Sequence, residues 1–393
     1  MKTASSVFWR ACARTAVGVA VLALLPYAWG PIYSFPAPQP FAGSQLWNPY
    51  ASLTGTWQRA NLHAHGRAWG GATSGKQSDG EVAAHYRTMG YTVPGVSDYQ
   101  YIAANHGVDT LPLYEHGFNV GKNHQLAIGA HAVDWFDFPL WQTRSNQQYV
   151  IDRVHERADL VALNHPSSRG AYSVDTLQAL TGYQLIEIIN GPFLVEDVWD
   201  AALTAGHPVW ALANDDTHDL LDERRAAAGW NMVDAPSAST TDIVSALRGG
   251  RSYAVLRTGA RERANSTTLS SVTVAGDTVR IAIDGTPSTI TFIGHDGVVL
   301  RSEQQVTSAA YTLAGNDPYV RTVVTAPEAT LFLNPVLRWD GHHLPEPAAH
   351  VAAMATWGQR SGVMVVCALL WMKLRRRRLA AASAASPALS SRA

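Results

Sequence analysis

Asn61-Leu62-His63-Ala64-His65 is the stretch from which the rest of the chain can be read. An apolar lead-in ends in two histidines one residue apart. Side chains two apart along a strand share a face. Both imidazoles can therefore converge on one metal ion where the strand opens into a pocket. A histidine pair alone fits a satisfied core or an exposed turn equally well. The pair gains weight from Asp79, Asp98, Glu115, His124, His165, Asp216 and His218. Most of these stand where an apolar run gives way to a loop.

Outward from the pair, 66–77 is rich in glycine and polar residues and reads as a loop. Ser78-Asp79-Gly80-Glu81 starts a helix, with Ser78 or Asp79 as N-cap, that ends at Gly90. A strand over 91–96 leads into Ser97-Asp98-Tyr99. A helix is predicted over 148–157 and a buried strand over 160–163, which ends at Asn164-His165-Pro166. The proline is expected to hold His165 extended. A strand over 183–189 ends at Asn190-Gly191-Pro192. After a helix over 195–205, a strand over 208–213 ends at Asn214-Asp215-Asp216-Thr217-His218. This rhythm predicts an α/β domain with a parallel sheet. Its candidate ligands fall at strand C-termini, where sites of closed barrels and of open sheets both lie. Beyond Gly249-Gly250-Arg251 the pattern changes to alternating β-branched runs separated by Gly276-Asp277, Asp284-Gly285 and Asp296-Gly297. That predicts a small β-sandwich over 251–345.

The chain has 393 residues, a formal net charge of −1 and 47% hydrophobic residues. This suits one large domain with additions and argues against a basic nucleic-acid face. Its two cysteines, Cys12 and Cys367, lie in terminal apolar segments. The body therefore has no disulfide or thiolate metal site, and any metal must be held by His, Asp and Glu.

Residues 1–30 read as a membrane anchor or a cleaved signal: Arg10 and Arg14 precede the apolar run 15–29. No small-x-small cleavage site follows Leu25, which favours the anchor. Residues 31–52, with four prolines by Pro40, read as a linker. A second membrane helix is expected over 351–373, across Gln359 and Arg360, before a basic, low-complexity tail over 374–393. Basic residues flank the outer end of each segment. The positive-inside rule then puts both termini in the cytoplasm and the body outside the membrane. A core helix followed by a solvated tail is the alternative for the C-terminal segment.

NLHAH, SDG, the strand ending in Ser97-Asp98, Glu115 with His124, NHP and DDTH occur in an order that resembles the PHP family, named for polymerase and histidinol phosphatase domains. The resemblance covers about 57–250, so the metallohydrolase domain is set at 53–250. It implies a distorted (β/α)7 barrel followed by an all-β sandwich like that of secreted PHP-type metallohydrolases. By motif position it implies one metal held by His63, His65, Glu115 and Asp216. A second would share Glu115 and take His124 and His165. A third site in the family corresponds to Asp79, Tyr99 and His218. The chain departs from the family at Tyr99, where a histidine is usual, so two ions are expected.

The expected activity is metal-dependent hydrolysis of a small-molecule phosphoester. His, Asp and Glu ligands suit zinc, manganese or iron, and a binuclear centre activates water. Tyr99 or His218 would protonate the leaving group. Arg67 and Arg169, and less strongly Lys76, would meet a phosphate, unless these are only solvated loop charges; Arg169 is the one assigned to catalysis. Glu187 is expected to form a salt bridge or cap a strand end, and His106, His116, His131 and His155 to be structural. The alternatives are a non-catalytic metal- or ligand-binding sensor domain and a hydrolase of a non-phosphate ester or amide.

Overall fold

The computed structural model describes residues 2–260 and 266–384; the end of the expected tail, 385–393, lies outside them. The chain divides into two compact units, Met1–Ser34 with His350–Ala393, and Phe35–Ala349.

In the first unit, helices Lys2–Trp29 and Ala353–Ala384 are joined by a short antiparallel ladder, Tyr33–Ser34 with His350–Val351. Arg360 Nη2 donates to the Trp29 carbonyl at 2.9 Å, and its guanidinium lies over the Trp29 and Trp357 rings. Among the described residues one helix, Ala11–Trp29, is long and apolar enough to cross a membrane, with mean hydropathy 1.6. The second span expected over 351–373 is helical from Ala353 but does not meet that measure. Gln359 and Arg360 interrupt its apolar run, and lysine and arginines follow from Lys373.

In the second unit, Trp57–Asn61 delivers the histidine pair. This strand pairs parallel with Val93–Pro94 and antiparallel with Gly229–Asp234. The ladder continues antiparallel through Ser252–Arg257, Ala329–Trp339, Tyr319–Thr325, Ser288–Ile293 and Val299–Val306. One nine-stranded sheet therefore runs across residue 250. A three-stranded sheet, Thr268–Ala275, Thr278–Asp284 and Ser308–Thr312, shares its core. Val272, Val279 and Ile281 of the small sheet are buried in one cluster with Phe292, Val324 and Leu331 of the large one. Inward and outward side chains alternate along these strands, as two sheets packed face to face require.

The other ladder is mixed, not parallel as its rhythm predicts. Trp210–Asn214, Leu185–Asn190 and Ala158–Leu163 are parallel, but Gln125–Ala130 is antiparallel to both Ala158–Leu163 and Leu113–His116. The reason is the 117–124 connection. It holds no crossover helix, and a parallel return needs one of a dozen residues or more. Isolated parallel bridges, Ala64 with Thr217 and Tyr99 with Glu115, link the two ladders. Asn214 Oδ1 also accepts from the Leu62 amide at 2.8 Å, and Asn231 Oδ1 accepts from the Ala213 amide at 2.9 Å. These links set the ends of four strands side by side.

Ser78, not Asp79, caps the Asp79–Thr88 helix, in a capping box with Glu81. A second box, Thr143 with Asn146, starts the next helix at Arg144, earlier than the apolar pattern begins. Within the stretch expected as a linker, Phe41 and Tyr50 are buried and Gln45–Trp47 pairs with Ala329–Trp339. Buried Arg321 binds both oxygens of Asp200, at 2.6 and 2.7 Å, and Glu196 at 2.7 Å. It thereby ties the Tyr319–Thr325 strand to the Asp197–Thr204 helix.

Candidate metal centre

His63 and His65 lie just past their strand with both rings fully buried, and their Nε2 atoms are 3.2 Å apart. Around them stand Glu115, the third residue of Leu113–His116, and Asp216, two residues beyond Trp210–Asn214. His63 Nε2 is 3.4 Å from Glu115 Oε1 and 3.4 Å from Asp216 Oδ1. His65 Nε2 is 3.2 Å from Glu115 Oε2 and 3.3 Å from Asp216 Oδ1. Two ligands on a tetrahedral ion at ~2.0–2.1 Å stand about 3.3–3.4 Å apart. The separations match ligands around one cation better than they match good hydrogen bonds.

A second group shares Glu115. His124 Nδ1 lies 2.9 Å and His165 Nε2 3.0 Å from Glu115 Oε1, to which Asn164 Nδ2 also donates at 3.1 Å. These are hydrogen-bond lengths, and they are also the spacing of right-angle ligands at ~2.1 Å. A third corner joins His218 Nε2 to Asp216 Oδ1 at 3.3 Å. The sets His63–His65–Glu115, His63–His165–Asp216, His65–Asp216–His218 and Glu115–His124–His165 each offer ligand atoms close enough to hold a metal ion. Glu115 Oε2 and Asp216 Oδ1 are buried without a hydrogen-bond donor. They face imidazole nitrogens at 3.2–3.4 Å, and a cation between them would satisfy such inward lone pairs.

The cluster is held under backbone strain. His165 has φ +28° and Asp216 φ +47°, both in the left-handed range. The extended His165 expected before Pro166 is therefore corrected. Such conformations cost about 1–3 kcal/mol each and persist where surroundings over-determine them. The His165 amide donates to Glu187 Oε2 at 2.7 Å, and the Asp216 amide donates to the His63 carbonyl at 2.9 Å.

Glu187 is the support common to these groups. Its Oε1 meets His63 Nδ1 at 3.0 Å, and Asn214 and Asn190 donate to its two oxygens at 3.0 and 2.9 Å. Burial opposes charge throughout; it prevails at His124 and His218, which it holds below the usual imidazole value, whereas the opposed charges win at the other ligands. Against burial, Glu187, Glu115 and Asp216 raise His63 well above its usual value, and the facing Asp216 and Glu115 carboxylates push His65 up to about 9. Burial would raise Glu115, yet His124 and His63 hold it well below the carboxylate range. His63 likewise holds Asp216 far down.

The other candidates divide. Asp79 lies against Asp98, whose carboxyl burial pushes up to about 7 with Asp79 adding and His65 opposing. Asp79 belongs to none of the four ligand sets. Asp98 Oδ1 accepts the Gly66 amide at 2.8 Å and lies 3.9 Å from His65 Nδ1. The Tyr99 ring stacks on His65 at 4.7 Å and meets His124 edge-on at 5.5 Å. Burial, then Glu115 and Asp216, raise the Tyr99 phenol. His218 stacks on His65 at 4.3 Å and bonds Ser74 Oγ through Nδ1 at 2.9 Å. Arg169 is not at the cluster: its backbone turns left-handed (φ +51°) and its Nη1 donates to the Val120 carbonyl at 3.1 Å, facing another groove. Arg67 and Lys76 are exposed and do not line the metal pocket.

That pocket, about 320 Å3, is lined by Tyr99, His165, Asp216 and His218, and by Lys122, Asn190, Phe193 and Arg225. The last four were not singled out from the sequence as pocket residues. Arg225 Nη1 donates to Asn190 Oδ1 at 3.2 Å and approaches Asp216 Oδ2 at 3.9 Å. An arginine within the pattern Glu-Arg-Arg carries no positional signal; only the fold of the 219–228 loop brings it in.

No family model matches this chain, and no curated protein matches it. Among solved structures it is similar to a two-domain protein from Bacteroides vulgatus containing a predicted PHP-like metal-dependent phosphoesterase. The identity is 12%, the TM-score 0.40, and the match covers 78% of this chain and 92% of that one.

Proposed function

We propose that this chain is a PHP-type metal-dependent hydrolase of phosphoesters. The reading is carried by the 3.2–3.4 Å convergence of His63, His65, Glu115 and Asp216 around one point. These four would hold one divalent ion of zinc, manganese or iron, and Glu115 with His124 and His165 a second. Such ions supply a more acidic water and charge neutralisation at the phosphoryl group. The strands of the two bridged ladders that precede residue 250 are read as the distorted barrel of that family.

The protein's own groups do the rest. Glu115 joins the two ligand sets. Glu187 orients His63 by fixing the tautomer. Lys122 and Arg225 place two cations beside the cluster for an anionic substrate. Tyr99, whose phenol stays protonated, is the proton donor to the leaving oxygen, and His218 stands in the same pocket. We read Ala11–Trp29 as the anchor that keeps the body at a membrane, with the body on the extracytoplasmic side.

Metal-stripped protein reloaded with each ion and assayed on a panel of phosphomonoesters, phosphodiesters and carboxylic esters tests this. Metal-restored turnover of a phosphoester is expected. A sensor without turnover is the second reading, favoured by Tyr99 packing its ring onto His65. Tight metal binding with no turnover of any ester would select it. A periplasm-dependent phosphatase reporter fused after Gly250 tests the sidedness: a silent, stable fusion refutes it.

A further inference from the structure

Exposed large apolar side chains are segregated in the Phe35–Ala349 unit. They include Trp69, Val120, Trp135, Trp141, Phe193 and Leu221, from 48% to 81% exposed. Outside the segments 66–78, 117–124, 131–143, 164–174, 191–194 and 219–222, those among the described residues of this unit are Val298 and Val299. Folding gains nothing from this arrangement. Single exposed apolar residues are ordinary, but their collection at one place marks an interaction surface.

The loops meet at the metal end of the fold. Trp69 Nε1 donates to the Tyr99 carbonyl at 2.9 Å, and its ring contacts that of Trp135 at 5.6 Å. The Val120 amide donates to the Pro139 carbonyl at 3.0 Å, while its own carbonyl accepts from Arg169. Phe193 and Lys122 line the metal pocket itself. Trp69 has φ +53°, a costly conformation for a bulky residue, and it leaves the indole half in solvent.

We propose that this end docks on a lipid bilayer and that the pocket takes the phosphoester headgroup of a membrane lipid; the substrate half rests on the hydrolase reading above. Three observations select a bilayer. Tryptophans are the residues that settle at the headgroup level, and three of them stand on this rim. Lys122 in the pocket and exposed Arg169 beside Val120 bring cations to the same level, where lipid phosphates lie. The chain also carries Ala11–Trp29, a helix long and apolar enough to enter a bilayer, which on the anchor reading above keeps a membrane within reach of the body. Phe193 lines the polar pocket, and Val120 and Trp141 line the groove at Arg169, an arrangement that lets acyl chains stay in the membrane while a headgroup enters.

The test uses the full chain in lipid nanodiscs of phosphatidylcholine with phosphatidylglycerol. Cys12 and Cys367 are changed to serine, and one cysteine is introduced at Val120, Leu221 or Val299 for a nitroxide label. Docking predicts that labels at 120 and 221 collide preferentially with oxygen, and the label at 299 with a water-soluble nickel chelate. Equal chelate access at all three positions overturns the proposal. Oxygen preference that vanishes at one chain per disc assigns the surface to a second copy and overturns it as well. In metal-loaded protein, Trp135→Ser with Trp141→Ser should lower turnover of vesicle-borne phosphatidyl substrates about tenfold or more. Turnover of a water-soluble short-chain analogue should stay unchanged. Immersed labels without hydrolysis of either substrate uphold docking and refute the substrate half. Solvent-exposed labels with hydrolysis of the soluble analogue refute docking and leave the hydrolase reading standing.

Discussion

His63 Nδ1 lies 3.0 Å from Glu187 Oε1, and this bond turns His63 Nε2 toward Glu115 and Asp216. A carboxylate behind a ligating imidazole fixes its tautomer and makes it a better ligand; losing such a partner typically costs 10–100-fold in metal affinity. Glu187→Gln should lower metal affinity by about that much with the fold retained. Metal titration against a competing chelator, with circular dichroism alongside, measures both. Unchanged affinity would make Glu187 a purely structural residue.

Glu115 touches His63, His65, His124 and His165, and its neighbour His116 touches none of them. His116 instead bonds Gln125 Oε1 at 3.0 Å and the Phe136 carbonyl at 2.9 Å. Glu115→Gln should empty both ligand sets. His116→Ala should keep the metal and lose roughly 1–3 kcal/mol of stability from the unpaired buried partners. Elemental analysis and denaturant unfolding separate the two. Equal metal loss from both changes would show that the bridging carboxylate is misassigned.

The Tyr99 ring stacks on His65 at 4.7 Å; we predict that it takes the place of a further ion, so two tightly bound ions per chain are expected. Asp79→Ala should cost no ion, because Asp79 faces Asp98, whereas His165→Ala should cost one. Tyr99→Phe should keep both and lower kcat by about 10²–10⁴-fold. Three tightly held ions in the unmodified protein would refute the count.

His207 is buried, and burial pushes it down to about 4 from 6.5. The folded state therefore keeps it neutral while the unfolded chain takes up a proton. Its contribution to stability is intact above about pH 6.5, falls as pH drops toward 4 and levels off below. The full loss is about 3 kcal/mol. His207→Gln should flatten that part of the stability–pH curve relative to the unmodified protein. Denaturant midpoints at both ends of the window give the difference.

The histidine pair was legible because strand alternation is local: two residues apart means one face. Ser78-Asp79-Gly80-Glu81 was legible as a helix start for the same reason, though not which residue caps it. Three-dimensional closure was not legible. Glu187 reads as an ordinary acidic residue in an apolar strand until the bridging of the two ladders brings His63 to it. Arg225 reaches the pocket through the fold of a loop, and Arg169 leaves it through one left-handed residue. The antiparallel Gln125–Ala130 strand follows from a loop that lacks a helix, an absence that the apolar rhythm does not announce.

The sheet that crosses residue 250 makes the two halves mechanically inseparable. Trp57–Asn61 is held on one side by Gly229–Asp234, which is held in turn by Ser252–Arg257 and then Ala329–Trp339. Cutting the chain at the change of sequence pattern would leave Gly229–Asp234 as a raw edge, with its outer amides and carbonyls unpaired. The histidine strand would keep its direct partner, but that partner would lose the strand that backs it. A slip of one residue there would turn His63 and His65 to the opposite face. The β-rich half therefore acts as a splint for the metal ligands, although it donates none of them.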